Sequence, residues 1–74
     1  MADDFSFDVV KEIGVLAEGK SGWKMEFNVV NWNNRGEKYD IRSWSEDHKK
    51  MGKGITLTKD EVLKLKELLN NLDL

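Results

Sequence analysis

Cysteine and proline are both missing from this chain, and histidine occurs once, as His48. Without cysteine there is neither a disulfide nor a thiolate metal cage to staple a small fold, a usage that fits a reducing cytosol. Without proline nothing rigid punctuates the chain, and no linker, internal repeat or low-complexity tract divides it. A single histidine in a charged loop is too little for a nucleophile–histidine pair or a zinc site, so no metal and no cofactor are expected. Glu46 and Asp47 are adjacent, and adjacent carboxylates seldom converge on one substrate atom. Lys53 resembles a phosphate-loop lysine only superficially: Gly54 follows it instead of serine or threonine, and Asp47 stands where the first glycine of that loop belongs. Neither an enzyme nor a small-molecule substrate is expected. No apolar run approaches the roughly 20 residues that span a bilayer, and the amino terminus carries acids where a signal peptide is basic. The expected location is the cytoplasm, with association with the nucleoid compatible with that reading, and no membrane partner is expected.

What is present fits one domain, residues 1–74. A domain this small buries only about 60% of the surface its unfolded chain exposes, so a second subunit is expected to complete it. The formal charge is -2, which argues against indiscriminate binding of polyanions. The charge is unevenly spread, however: residues 1–22 sum to -3, residues 23–57 to +2 and residues 58–74 to -1. The basic middle also holds Trp23, Trp32 and Trp44, all the tryptophans of the chain.

Phe5, Phe7 and Val9 alternate with polar residues, and the alternation resumes at Ile13 and Val15 after an irregular Val9–Val10–Lys11–Glu12 segment. This pattern predicts a strand with a bulge near Val10, and Gly14 marks a bend or a close approach. Gly19–Gly22 predicts a turn, which makes strands one and two a hairpin. In the second strand, Trp23 to Asn33, the parity places Trp23, Met25, Phe27 and Val29 on an apolar face read as core. Lys24, Glu26, Asn28, Val30 and Trp32 fall on a polar face. Asn33-Asn34-Arg35-Gly36 predicts a turn by its tolerance of positive φ. The third strand sets Tyr39 and Ile41 against Lys38, Asp40, Arg42 and Trp44. If these strands pair in simple register, Lys24, Trp32, Lys38, Arg42 and Trp44 share one face. Ser45–Lys50 is a charged loop in which His48 is expected to be solvated.

Met51–Leu57 alternates around Gly52 and Gly54 as a fourth strand that lets a neighbouring backbone come close. Thr58 and Glu61 then form a capping box, with Leu57 and Val62 placed as a hydrophobic staple. Val62, Leu65, Leu69 and Leu72 recur at helical spacing, and Leu63 and Leu68 widen the stripe beyond what one small sheet needs. The expected fold is α+β: a four-stranded antiparallel sheet followed by one C-terminal helix, β-β-β-β-α.

Single-stranded nucleic acid is bound by cations that follow the backbone and aromatic faces on which unstacked bases lie. Trp32 and Trp44 are the candidate faces, while Lys24, Lys38, Arg42, Lys50 and Lys53 are the candidate cations. The opposing reading keeps the tryptophans in a core and pairs Lys24 and Lys38 with Glu26 and Asp40, each cross-strand pair worth about 0.2–1 kcal/mol.

On Tyr39-Asp40-Ile41-Arg42-Ser43-Trp44, and on Met51-Gly52-Lys53-Gly54-Ile55-Thr56-Leu57 leading into the Thr58 cap, the chain resembles the positive-cofactor-four family of transcriptional coactivators. The resemblance is closest to the bacterial YdbC-like branch, where it extends to Gly22-Trp23 and Asn31-Trp32-Asn33. It implies a curved sheet, a homodimer formed largely through the helices (Val62, Leu65, Leu68, Leu69 and Leu72), and single-stranded DNA lying across the sheets. Arg42, Trp44 and Lys53 match the family's DNA contacts, and Trp32 and Arg35 lie near a turn where the family uses aromatic and basic residues. The basic, serine-rich regulatory tail of the eukaryotic coactivators is absent. The function expected is single-stranded DNA binding with little sequence preference, in transcription, replication or repair. Single-stranded RNA binding and a non-enzymatic protein-interaction dimer stand as alternatives.

Overall fold

A computed structural model describes residues 6–74. The expected Phe5 start of the first strand lies outside them. The elements are β1 (Phe7–Glu18), a short 3-10 turn (Lys20–Gly22), β2 (Lys24–Trp32), β3 (Glu37–Trp44), β4 (Met51–Leu57) and α1 (Lys59–Asn70). The strands form one antiparallel sheet in the order β1-β2-β3-β4. This is the expected architecture, a four-stranded sheet followed by one helix. Among the described residues no helix is long and apolar enough to cross a membrane.

β2 and β3 pair without a break, from Lys24 opposite Trp44 to Asn31 opposite Glu37. Their turn works as the asparagines predict. Asn33 and Asn34 both have positive φ, 53° and 58°, and Arg35 N donates to Trp32 O across the turn at 3.0 Å. β1 is far less regular. Its register slips between Val9 and Lys11, between Glu12 and Gly14, and between Val15 and Ala17. The expected bulge at Val10 is thus one of three, which together bend and twist the strand. Each slip leaves one residue over, Val10, Ile13 or Leu16, and all three are exposed.

The location of the core corrects the reading from parity. The face bearing Trp23, Met25, Phe27 and Val29 was expected to be buried, yet Met25 is 41% exposed and Ile55, from the same side of β4, is 55% exposed. The buried residues, Glu26, Asn28, Val30, Asp40 and Trp44, all lie on the opposite face. The cause is local covering. Phe7 at the start of β1 packs on Trp32 and Trp44, with ring centroids 5.9 and 5.3 Å apart. His48 from the β3–β4 loop covers Trp44 from the other end, at 5.5 Å.

The helix begins at the expected capping box. Thr58 N donates to Glu61 Oε1 at 2.8 Å and Glu61 N donates to Thr58 Oγ1 at 3.2 Å. Beyond its start α1 leans little on the sheet: Val62 is half-buried, while Leu63, Leu65, Leu68, Leu69 and Leu72 are exposed.

Candidate nucleic-acid interface

The register brings Lys24, Trp32, Lys38, Arg42 and Trp44 onto one face of the sheet, hereafter the Arg42 face. Its centre is built by Asp40-Ile41-Arg42, where residues two apart along β3 share a side. Arg42 Nε donates to Asp40 Oδ1 at 2.7 Å, and Nη2 donates to Oδ2 at 2.9 Å. The bidentate fork fixes the guanidinium in plane and orientation. Thr56 Oγ1, directly across on β4, donates to Asp40 Oδ2 at 3.0 Å, and Arg42 Nη1 reaches Met51 Sδ at 3.5 Å. So held, the guanidinium carbon lies 4.7 Å from the centre of the Trp32 ring, a cation–π stack. Asp40 is thereby a positioning residue for Arg42: it is fully buried and its charge is spent on the arginine.

β4 approaches this centre closely because of Gly54, which pairs with Arg42. A Cβ there would overlap the carbonyl oxygen of Ile41 and the Cβ of Arg42. The expectation that a glycine of this strand admits a neighbouring backbone is met at Gly54.

Toward the other end of the face, Glu26 is buried and accepts from Asn28 Nδ2 at 2.9 Å. His48 Nε2 lies 3.0 Å from both oxygens of the same carboxylate. Burial pushes the Glu26 carboxyl up, but the bonds from Asn28 and His48 and the charges of His48 and Lys24 outweigh it and hold the group below its ordinary value. His48 is therefore a structural clamp between the β3–β4 loop and β2, which corrects the expectation of a solvated residue. The loop is tied internally as well, since Ser45 Oγ donates to Asp47 Oδ1 at 2.8 Å and Lys50 N donates to Ser45 Oγ at 3.0 Å.

Trp44 was expected as an exposed stacking face, but it is fully buried between Phe7 and His48. Among the described residues its indole nitrogen has no hydrogen-bond partner, and neither does Asn28 Oδ1. Trp44 supports the face from beneath, whereas Trp32, half-buried under Arg42, stands nearer the surface. Lys24, Arg35, Lys38, Lys50 and Lys53 are all exposed, and none of them forms a salt bridge among the described residues. The pairing of Lys24 and Lys38 with Glu26 and Asp40 does not occur, because those carboxylates are taken by His48 and Arg42. Lys24 and Lys38 flank the Arg42–Trp32 stack on the same face. Arg35 lies in the β2–β3 turn, Lys50 in the β3–β4 loop, and Lys53 at an irregularity where β4 slips against β3, so register alone does not place it on a face. Phe7, Asp40, His48 and Met51 complete the site. Parity within β3 could have shown Asp40 beside Arg42, but nothing in a strand pattern shows that a loop histidine folds back onto β2.

The arrangement offers a fixed guanidinium stacked on an indole, with exposed lysines around it that form no salt bridge among the described residues. That is equipment for binding a flexible polyanion with planar bases. Comparison with known proteins gives the same direction. An uncharacterized protein of Treponema pallidum (strain Nichols) is 49% identical over 72 residues, which cover 97% of this chain and 85% of that protein. Residues 20–68, from the 3-10 turn into α1 and including the whole Asp40–Arg42–Trp32 centre, match the family described as Transcriptional Coactivator p15 (PC4). Membership in that family supports a DNA-binding role, and with half the chain and more inside the match, this protein belongs to the Transcriptional Coactivator p15 (PC4) family.

Proposed function

We propose that the protein is a homodimeric, non-catalytic single-stranded-DNA-binding protein that takes the strand on its Arg42 face with little sequence preference. The observation that carries this reading is the Arg42 guanidinium held by Asp40 over Trp32, with Lys24 and Lys38 on the same face and in no salt bridge among the described residues. Bases stack on the outer side of the Arg42–Trp32 pair, and phosphates meet Lys24, Arg35, Lys38, Lys50 and Lys53. Each base–aromatic stack is worth about 1–3 kcal/mol, so a few stacks together with several phosphate contacts offset the cost of ordering a flexible strand. Trp44 acts from below by holding Phe7 and His48 in place.

The homodimer answers the misplaced burial. Met25 and Ile55 on the outer face and Leu63, Leu65, Leu68, Leu69 and Leu72 on α1 are large apolar side chains left exposed, and clustered exposed apolar surface marks an interaction site. A second copy seated on the helix stripe and the Met25 face buries it and leaves both Arg42 faces open. The setting that fits is cytoplasmic transcription, replication or repair.

The test is competition. A fluorescent single-stranded DNA oligomer is bound, then challenged with unlabelled single-stranded DNA, matched RNA and duplex DNA. Single-stranded DNA is expected to displace it best. Equal displacement by RNA moves the substrate class to single strands generally, because no group on the face is committed to a 2′-hydroxyl. Absence of binding to any strand, with the dimer intact, favours the protein-interaction reading.

A further inference from the structure

Arg42 uses only one side of its guanidinium inside the protein. The group carries five N–H donors in a rigid planar fork. Asp40 takes the side-on pair, with Nε donating to Oδ1 at 2.7 Å and Nη2 to Oδ2 at 2.9 Å. The end-on pair is formed by Nη1 and the second hydrogen of Nη2. Its one hydrogen-bond neighbour among the described residues is the Met51 thioether, 3.5 Å from Nη1. A thioether is a weak acceptor on an adaptable side chain, so it yields readily to a better partner.

Access to that edge is built into β4. Gly54 stands directly across from Arg42 and has no side chain to cover it, and both Gly54 and Thr56 are exposed. The Arg42 side chain keeps 15% of its surface open. Its plane is nevertheless fixed. Asp40, fully buried and also held by Thr56 Oγ1 at 3.0 Å, anchors one side, and the Trp32 ring centre lies 4.7 Å from the guanidinium carbon.

Two parts of a nucleic acid present a pair of acceptors to an end-on fork: a phosphate and the O6/N7 edge of guanine. The charge balance separates them. Asp40 neutralises Arg42 at contact distance, so the fork keeps its directional donors and little net charge. Phosphates are better served by Lys24 and Lys38, which are exposed and form no salt bridge among the described residues. Guanine is neutral and asks only for two N–H groups in one plane. Adenine sets an amino group where guanine has O6, and thymine offers one acceptor beside a methyl group, so neither fills the fork.

We infer that the end-on edge of Arg42 is a guanine subsite: a guanine of the bound strand lies in the guanidinium plane, accepts from Nη1 and Nη2 through O6 and N7, and displaces the Met51 sulfur. The inference rests on the proposed reading of the Arg42 face, whose stacking side it leaves untouched. It adds one base-reading position to a track otherwise indifferent to sequence.

The test uses fluorescein-labelled oligothymidylates of about eight nucleotides, within the range of ordinary single-strand sites. They are used unchanged or with one central thymine replaced by guanine, 7-deazaguanine or adenine, a single guanine being too few to form quadruplexes. The wild type is expected to bind the guanine oligomer about tenfold more tightly than plain oligothymidylate. 7-Deazaguanine keeps O6 and the Watson–Crick edge but lacks N7, and should lose most of that gain, while adenine should show none. Arg42→Lys keeps a cation for Asp40 without a fork and should bind all four oligomers alike. Equal wild-type affinity for the guanine and thymine oligomers overturns the inference. So does a gain that survives the 7-deaza replacement, appears equally with adenine or persists in Arg42→Lys. Should Arg42→Lys fail to fold, the wild-type comparison of guanine with 7-deazaguanine decides alone. Failure of the wild type to bind any of the oligomers would instead remove the underlying reading of the Arg42 face.

Discussion

Replacing Arg42 by alanine is expected to destabilise the fold more than replacing Asp40, because the two ends of that pair differ in their access to water. The Asp40 side chain is fully buried, while that of Arg42 keeps 15% of its surface exposed. In Arg42→Ala the carboxylate loses bonds of 2.7 and 2.9 Å and keeps only Thr56 Oγ1 at 3.0 Å. Hydrogen bonds to charged groups contribute about 1.5–3 kcal/mol each, and breaking a buried pair from one side costs about 3–5 kcal/mol. The expected cost is therefore about 3–5 kcal/mol. In Asp40→Ala the guanidinium swings outward from its exposed edge and the exposed Thr56 hydroxyl turns to water, so the expected cost is about 1–2 kcal/mol. The double variant leaves no buried charge, and its cost should fall short of the sum of the two singles by about 1–3 kcal/mol. A domain of this size has only about 4–11 kcal/mol in total, so the differences are large on that scale. Urea unfolding at fixed protein concentration, followed by circular dichroism, measures all four proteins. Equal costs for the two single variants, or a strictly additive double, would refute the argument from unequal burial.

Gly54→Ala forces a methyl group into the Ile41 carbonyl and the Arg42 Cβ. It should cost about 1–3 kcal/mol or more, visible as a lowered melting temperature, and an unchanged melting temperature would deny the close approach of β4. The Glu26 carboxyl is held below its ordinary value of 4.5 when folded. The stability it contributes is therefore present above about pH 4.5 and is lost as pH falls through that value toward the depressed folded one. Glu26→Gln should flatten this acid limb in urea unfolding across pH 3–6, and an acid limb identical to the wild type would contradict the Asn28–His48 arrangement. Leu68→Glu places a charge in the exposed helix stripe and should shift light-scattering mass from dimer to monomer, or prevent folding. A dimer unaffected by that change would remove α1 from the interface.

Much of this fold is legible in the order of residues because local chemistry governs it. Two asparagines and Gly36 set the β2–β3 turn, Thr58 and Glu61 start the helix, and with no bulge between β2 and β3 the period-two parity placed Arg42, Trp32, Lys24 and Lys38 together correctly. Long-range covering was not legible. Parity distinguishes two faces without saying which one is covered. Here the outcome depends on three slips along β1, on Phe7 reaching Trp32 and Trp44, and on His48 folding back onto Glu26. For the same reason Trp44 reads as a stacking surface from its polar neighbours and lies buried under partners distant in sequence. The apolar pattern of Met25, Phe27 and Val29 still records a need for burial, one that a second subunit can meet.

The most direct test of the proposed interface is a nuclear magnetic resonance titration of the labelled protein with a single-stranded DNA oligomer, read residue by residue. The account predicts that shifts gather on Lys24, Trp32, Arg35, Lys38 and Arg42, with the side-chain resonances of Arg42 and Trp32 moving most. Shifts gathered on Met25, Phe27, Ile41, Ile55 and the leucines of α1, with the Arg42 face unmoved, would contradict it.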